Sequence, residues 1–242
     1  MKIRLDKLLL ARKLAPSRQK AQALIVAGLV RVDGQPADKA GSMFSSDCQV
    51  EVKGPSCPFV SRGGLKLAKG LKYFSIDPAD LICADIGAST GGFTDCLIQH
   101  KAAKVYAVDV GYGQLDWKLR QDKRVVVMER TNARYLQPGD IDMNLDLAVI
   151  DAAFISLKLL IPPLIPLFAG PVSILALIKP QFEVGRGRVG KGGVVRDPVL
   201  HQEVIDDLLN FAKGLGLTDR GVTESPILGP KGNREFLAHF VS

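Results

Sequence analysis

One run constrains the architecture of this 242-residue chain more tightly than any other: Asp85-Ile86-Gly87-Ala88-Ser89-Thr90-Gly91-Gly92-Phe93-Thr94-Asp95, followed by a second apolar run that ends at Asp109. Residues 81–85 read as a buried strand, the glycines as the turn after it, and residues 93–100 as the helix that follows. Residues 104–109 (Lys-Val-Tyr-Ala-Val-Asp) supply a second strand. Strand, glycine turn, helix and strand make a βαβ unit, and such a unit commits the chain to an α/β sheet that binds ligands at the carboxyl ends of its strands. Glycine suits the turn because, lacking Cβ, it adopts positive φ cheaply and lets backbone approach a ligand.

The spacing narrows the ligand. Gly-x-Gly-x-x-Gly is absent, because the residue two after Gly87 is Ser89 and the paired glycines come at 91 and 92. Asp85 opens the motif where a pyrophosphate would lie, and would repel it. A ligand with an ammonium group matches better, and Asp109 suits the two ribose hydroxyls of an adenosine. The expected cofactor is S-adenosyl-L-methionine, held by Asp85, Gly87, Ala88, Ser89, Gly91, Gly92 and Asp109. A glycine turn that only packs a helix on a sheet would leave the two carboxylates unexplained.

Charge divides the chain. Residues 1–60 carry ten Lys or Arg against five Asp or Glu, whereas residues 61–242 carry 22 against 20, so the +7 formal charge is mainly an N-terminal property. Cys48, Cys57, Cys83 and Cys96 show no C-x-x-C pairing, which suggests reduced structural cysteines and a cytoplasmic protein. The N-terminus alternates charge with Leu and offers no apolar signal core. Residues 159–178 are uncharged over twenty positions, long enough to span a bilayer. Pro162, Pro163, Pro166 and Pro171 would break such a helix, so a short helix, a turn at 169–171 and a buried strand over 172–178 are expected instead. His100, His201 and His239 share no ligand spacing, and no metal site is expected.

The first sixty residues form a module of their own. Apolar residues at Ile3, Leu5, Leu8, Leu9 and Leu14 with basic residues between them predict an amphipathic helix over 3–14. Ser17 caps a second helix from Arg18 that stops at Gly28, and short strands follow around an Asp33-Gly34 turn. The pattern Arg4-Leu5-Asp6-Lys7, Ser17-Arg18, Ala21, Leu24-Ile25, Gly28, Val30-Arg31-Val32-Asp33-Gly34 resembles the S4 RNA-binding domain. Eight basic residues against one acidic in residues 1–31 suit several phosphate contacts, through Arg4, Lys7, Arg12, Arg18, Lys20 and Arg31. A solvated basic helix face is the plainer reading for any single lysine. Aromatic residues are missing here, so recognition would rely on the backbone and shape of folded RNA.

Chemistry is expected further along. Residues 63–74 read as a helix carrying Lys66, residues 145–150 as a buried strand ending at Asp151, and residues 172–178 as another ending at Lys179. Asp151 and Lys179 would thus stand at the carboxyl ends of adjacent strands, on the edge where the glycine turn holds its cofactor. Glu235 opens a last apolar run, residues 236–241.

Together with the Asp85 motif, four further runs, Ser61-Arg62-Gly63-Gly64-Leu65-Lys66-Leu67, Glu129-Arg130-Thr131-Asn132-Ala133-Arg134, Asp151-Ala152-Ala153-Phe154-Ile155-Ser156-Leu157 and Lys179-Pro180-Gln181-Phe182-Glu183, resemble the TlyA family, as does Gly229-Pro230-Lys231-Gly232-Asn233-Arg234-Glu235-Phe236. The resemblance covers essentially the whole chain. It implies a Rossmann-like class I methyltransferase domain of the FtsJ-like type, α/β, over 61–242, joined by a linker at 53–60 to a small α+β S4 domain over 1–52. By motif, the family's Lys-Asp-Lys-Glu tetrad falls on Lys66, Asp151, Lys179 and Glu235, with Asn132 and Asp151 added to the cofactor contacts. Ala152-Ala153 departs from the commoner pattern, where a larger residue and Ser are often seen.

The implied reaction is methyl transfer from S-adenosyl-L-methionine to a cytidine 2′-hydroxyl in 16S or 23S rRNA, or both, by a monomer acting on ribosomal RNA or ribosomal subunits. A ribose hydroxyl is a poor nucleophile at neutral pH, so positioning supplies much of the catalysis. A desolvated, neutral lysine accepts the hydroxyl proton, whereas a charged one stabilises developing alkoxide. On this reading Lys179 is the proton acceptor, Asp151 orients it, and Lys66 and Glu235 position the ribose. For each of the four the plainer reading is an ordinary ion pair, and on a lysine-rich helix Lys66 would usually be solvated.

Gly185-Arg186-Gly187-Arg188-Val189-Gly190-Lys191 matches a P-loop until Gly192 replaces the Ser or Thr that would hold magnesium. Residues 185–196 are therefore expected to form either a mobile basic loop, with Arg186, Arg188 and Lys191 toward RNA, or simply a disordered glycine loop. Two rival readings stand beside the enzyme. One is a membrane-active protein, since some family members carry a haemolysin label; the other is an S4-anchored RNA binder whose methyltransferase domain is inactive or acts on a base.

Overall fold

The computed structural model describes residues 2–26, 28–52, 57–190 and 192–242, and only the backbone of Arg186. The chain separates into two compact units, Met1–Ser56 and Cys57–Ser242. Twelve strands and eight α-helices are assigned among the described residues. The first unit holds β1 (Lys2–Arg4), α1 (Leu5–Ala11), α2 (Arg18–Val26), β2 (Val30–Val32), β3 (Gln35–Pro36), β4 (Met43–Ser45) and β5 (Val50–Val52). The second holds α3 (Gly63–Tyr73), β6 (Ile82–Ile86), α4 (Gly92–Gln99), β7 (Lys104–Val108), α5 (Trp117–Arg120), β8 (Val125–Met128), β9 (Leu147–Ile150), α6 (Ile161–Leu164), β10 (Ser173–Ile178), α7 (Pro180–Glu183), α8 (Pro198–Gly214), β11 (Thr218–Glu224) and β12 (Phe236–Val241).

In the N-terminal unit the expected helix over 3–14 is replaced by a strand and a shorter helix. Lys2–Arg4 pairs antiparallel with Met43–Ser45, and α1 begins only at Leu5. Apolar spacing along one segment carries no information about a pairing partner some forty residues away, and that partner decided the conformation. α2 starts as expected: Lys20 N donates to Ser17 Oγ at 3.2 Å. Asp33 and Gly34, both at positive φ, turn β2 into β3. Leu5, Leu9, Ala21, Ile25, Val30 and Val32 form this unit's core.

The second unit is a Rossmann-like α/β layer structure. Its seven-stranded sheet runs β11-β12-β10-β9-β6-β7-β8, and only β12 is reversed, pairing antiparallel with both of its neighbours, β10 and β11. Strict alternation sorts the two faces. Ala84, Ile86, Ala148, Ile150, Ile174 and Ala176 pack with α6 and α8 on one side. Cys83, Val105, Leu147, Val149, Leu175 and Leu177 pack on the other with Leu67 and Leu71 of α3 and Phe93 and Leu97 of α4. Period-two alternation of uniformly apolar residues is what a sheet covered on both faces requires. The uncharged stretch resolves into single helical turns and β10, and no helix among the described residues is long and apolar enough to cross a membrane.

Candidate active site and basic face

The turn after β6 shows why its glycines are glycines. Gly87 has φ +85°, and a Cβ there would lie 2.8 Å from the carbonyl oxygen of Asp151. At Gly91, φ +93°, a Cβ would overlap Leu119 of α5, and at Gly92 it would overlap Ser61 Oγ just ahead of α3. Each glycine therefore has a packing reason inside the protein, beyond the ligand approach argued from sequence. Ser89 takes φ +49° without being glycine, and its N–H donates to Asp109 Oδ2 at 2.8 Å. Gly111 N donates to the other oxygen at 2.7 Å, so Asp109 ties the turns after β6 and β7 together. Ala88 is buried beneath this turn.

Asp85 has no exposed surface. Its Oδ2 accepts from the N–H and hydroxyl of Thr94 on α4, at 2.8 and 2.6 Å, while Oδ1 has no hydrogen-bond partner. Burial, with Asp151 and Asp109 nearby, pushes its carboxyl up to about 7 against the opposing bonds from Thr94. Three carboxylates, Asp85, Asp109 and Asp151, thus gather at the carboxyl ends of β6, β7 and β9, an arrangement that suits a positive charge and disfavours a pyrophosphate. Asn132, past the end of β8, caps the turn Ala133–Tyr135 through Oδ1 and borders a cavity of about 340 Å³ lined also by Met128, Tyr135 and Leu136.

The sheet brings together the four residues of the expected tetrad. Asp151 and Lys179 follow β9 and β10, which are parallel neighbours, and Lys179 Nζ lies 2.5 Å from Asp151 Oδ1. Ile178 pairs with Phe236 across β10 and β12, which sets Glu235 beside Lys179 at the same edge. Lys66 reaches the site from α3 and lies with Nζ 2.6 Å from Glu235 Oε2. Contrary to a solvated lysine, Lys66 is only 7 % exposed, and Glu235 is fully buried with Oε1 unpartnered. A Cβ at Gly229 would overlap that carboxylate, so the Gly229–Asn233 turn closes directly over it. The site thus contains two lysine–carboxylate pairs, one on each side of the β10 end: Lys66–Glu235 is buried, whereas in Lys179–Asp151 the carboxylate is half-buried.

Phe154 escaped the sequence reading as a site residue. It is 91 % exposed at φ +64°, three residues past Asp151, with its ring tilted against Phe182 at 5.0 Å. A bulky residue held in the left-handed region beside reactive groups signals a functional constraint. Its place inside the Asp151 run was the available signal. Residues 185–196 are not uniformly loose: Val194 and Val195 are buried, and Val195 N donates to Asn233 Oδ1 at 3.1 Å. Arg188 pairs with Glu203. Lys191 and the side chain of Arg186 lie outside the described residues.

Known proteins match this arrangement along its length. Residues 59–241 match the FtsJ-like methyltransferase family and residues 3–47 the S4 domain. The 16S/23S rRNA (cytidine-2′-O)-methyltransferase TlyA of Mycobacterium tuberculosis is 49 % identical over 96 % of this chain and 87 % of its own length. The chain belongs to the TlyA family. Another similar protein, YqxC of Bacillus subtilis, named for rRNA methyl transfer, is 51 % identical over 98 % of this chain and 85 % of its own. A solved structure from Streptococcus thermophilus that carries a hemolysin name is 44 % identical, with a TM-score of 0.80, covering 100 % of this chain and 88 % of that one. The chain is accordingly an S-adenosylmethionine-dependent methyltransferase of the FtsJ-like kind.

In this TlyA-family member the S4 unit uses much of its basic charge internally. Asp6, fully buried, accepts from Arg4 Nε and Nη2 at 3.1 and 3.0 Å, Arg18 Nε at 2.9 Å and Gln22 Nε2 at 3.0 Å. Hydrogen bonds from Arg4, Gln22 and Arg18, with the charge of Arg18, outweigh burial and hold its carboxyl well below the usual carboxylate range. Arg12 donates to Ser46 O at 2.5 Å and Arg31 to Gly34 O at 3.2 Å. Lys7 stays exposed, Lys20 half-buried. The arginines keep outward surface, 40 % for Arg4 and 51 % for Arg18, so the Asp6 cluster orders them without removing them from solvent.

Proposed function

We propose that this chain methylates the 2′-hydroxyl of a cytidine in 16S or 23S ribosomal RNA, acting as a cytoplasmic monomer on ribosomal subunits docked through the S4 unit. The observation that carries the reading is the pair of lysine–carboxylate contacts at the carboxyl end of β10, on the same sheet edge as the glycine turn that Asp109 braces through Ser89. The tetrad arrangement and the named substrates of the 49 % identical relative support the same conclusion.

Asp109 keeps one backbone N–H on each oxygen, which leaves a lone pair on each for the two ribose hydroxyls of the cofactor. Gly87, Ala88, Ser89, Gly91 and Gly92 shape the turn, and the cavity bordered by Asn132, Met128 and Leu136 is the place for adenine. The unpartnered Asp85 Oδ1 and the Asp151 carboxylate favour the positive end of the ligand. S-adenosylmethionine supplies the electrophilic methyl on a sulfonium.

Lys179 Nζ is the acceptor for the 2′-hydroxyl proton as the oxygen attacks, and Asp151 holds Nζ in place and balances the ammonium that forms. Lys66, fixed by Glu235, holds the ribose from the other side. Phe154 presents an open ring face to the target base, and Arg4, Lys7, Arg12, Arg18, Lys20 and Arg31, with Arg186 and Lys191, meet phosphates.

The deciding experiment supplies labelled S-adenosylmethionine with separate unmethylated small and large ribosomal subunits and maps the label to a nucleotide and to ribose or base. Ribose label is expected, reduced about 10²- to 10⁴-fold in Lys179→Ala while cofactor binding survives; label on a base would sink the ribose assignment. Removing residues 1–52 is expected to weaken RNA binding and flatten its salt dependence. The hemolysin name of the similar solved structure supports a second, membrane-active reading. Erythrocyte lysis by purified protein free of RNA and cofactor would favour that reading over the enzyme.

A further inference from the structure

The loops after β9 and β10 carry Asp151 and Lys179, and a carboxylate outside the tetrad joins them. Glu183, at the end of α7, accepts from Ser156 Oγ at 2.5 Å and from the Leu157 N–H at 2.9 Å. Ser156 itself caps the single turn Leu157–Leu159, its Oγ accepting from Lys158 N at 3.2 Å. One acid on the Lys179 side therefore closes the first turn on the Asp151 side. α7 leaves it little freedom, because Lys179 is that helix's N-cap and its carbonyl accepts from Phe182 N at 2.9 Å. Burial raises the Glu183 carboxyl above its ordinary value, and the bonds from Ser156 and Leu157 oppose that rise. The Phe154–Phe182 ring contact is a second tie between the same two loops.

We propose that Glu183 is a positioning residue, which sets the two loops so that Lys179 Nζ and Asp151 Oδ1 meet at 2.5 Å. The proposal rests on the reading of Lys179 and Asp151 as the proton-transfer pair. The Asp151 loop needs an external hold: it contains Phe154 at φ +64° and exposes that ring almost completely. A displacement of about 1 Å at reacting groups can cost about 10²-fold in rate even when the change lies away from the chemistry.

The test compares Glu183→Ala, Glu183→Gln, Ser156→Ala and the Ser156→Ala/Glu183→Ala double variant in the full chain, with labelled S-adenosylmethionine and unmethylated ribosomal subunits. Glu183→Ala is expected to lower kcat about 10²-fold with cofactor Kd and RNA KM unchanged. Glu183→Gln keeps an acceptor for Leu157 N and is expected to restore most of kcat. The double variant should be no slower than Glu183→Ala alone, because both changes break one link. Amide hydrogen exchange gives a readout independent of turnover: residues 152–157 should exchange faster in Glu183→Ala and not in Glu183→Gln. Additive losses, a Gln variant as slow as Ala, or unchanged exchange at 152–157 would overturn the proposal. Lys179→Ala, assayed alongside, separates the two readings: if it keeps full kcat the proton-transfer assignment falls, whereas an inactive Lys179→Ala with an unaffected Glu183→Ala removes only the role of Glu183.

Discussion

Asp6 in the N-terminal unit and Asp85 in the methyltransferase unit are both carboxylates with no exposed surface, yet their surroundings push them in opposite directions. Asp6 is ringed by Arg4, Arg18 and Gln22, which hold its carboxyl below the ordinary range. Asp85 has Thr94 on one oxygen, nothing on the other, and two further carboxylates nearby, which raise it to about 7. Asp6 has its cationic partners inside the S4 unit, whereas Asp85 has none among the described residues, and on the proposed function the cationic methyl donor is what faces it.

The pH dependences follow with opposite sign. Asp6, depressed in the folded chain, contributes stability that is fully present above about pH 4 and lost as pH falls below its ordinary range. Asp85, raised in the folded chain, contributes only below about pH 4, and that contribution is lost as pH rises through about 7. Ionising it in the folded apoprotein costs roughly 4 kcal/mol, a rise from 3.8 to about 7 converted at about 1.4 kcal/mol per pH unit. A bound sulfonium and ammonium offset that cost, so cofactor should stabilise the enzyme most above neutrality.

The largest effect expected from breaking this contrast is at Glu235. Glu235→Ala strands Lys66 as a buried charge and should destabilise the methyltransferase unit by about 3–5 kcal/mol in urea unfolding. Replacing both partners, as Lys66→Met with Glu235→Met, should recover much of that stability and none of the activity. A full loss of stability in the double variant would show that the pair is structural rather than catalytic.

Asp6→Ala comes next, with about 2–3 kcal/mol lost from the N-terminal unit, read from amide exchange in α1 and α2. The loss is smaller because Arg4 and Arg18 already reach solvent. Asp85→Asn should go the other way, raising apoprotein stability by about 1–2 kcal/mol at pH 7.5 and by less at pH 5, while weakening cofactor binding. A lower melting temperature than wild type at pH 7.5 would break the comparison outright. The smallest effect is at Arg31: Arg31→Ala should change stability by less than about 0.5 kcal/mol yet reduce the salt slope of RNA binding by about 1.

Much of the second unit was legible because its strands are buried on both faces and read as continuous apolar runs. The expected residues 236–241 coincide with β12, and the helix at 63–74 differs from α3 by a single terminal residue. β11 was not found, since Thr218–Glu224 is an edge strand that is mostly polar and exposed. β8 was missed as well: Val125–Met128 is only four residues long and carries no turn signal of its own. The strand at Lys2–Arg4 was hidden inside an apparent helix by residues that serve either period.

From its residues alone the chain determined the βαβ unit, the strand ends at Asp109, Asp151 and Lys179, and the concentration of positive charge near the N-terminus. These are local properties, because periodicity and punctuation act over a few neighbouring residues. Tertiary structure decided which charges meet: that Lys66 is buried against Glu235, 169 positions away, that Arg4 and Arg18 converge on Asp6, and that Glu183 links the loops of the reactive pair. A charge along a sequence has only a sign. Its energy depends on burial and on the distance to its partner, and both exist only once the chain has folded.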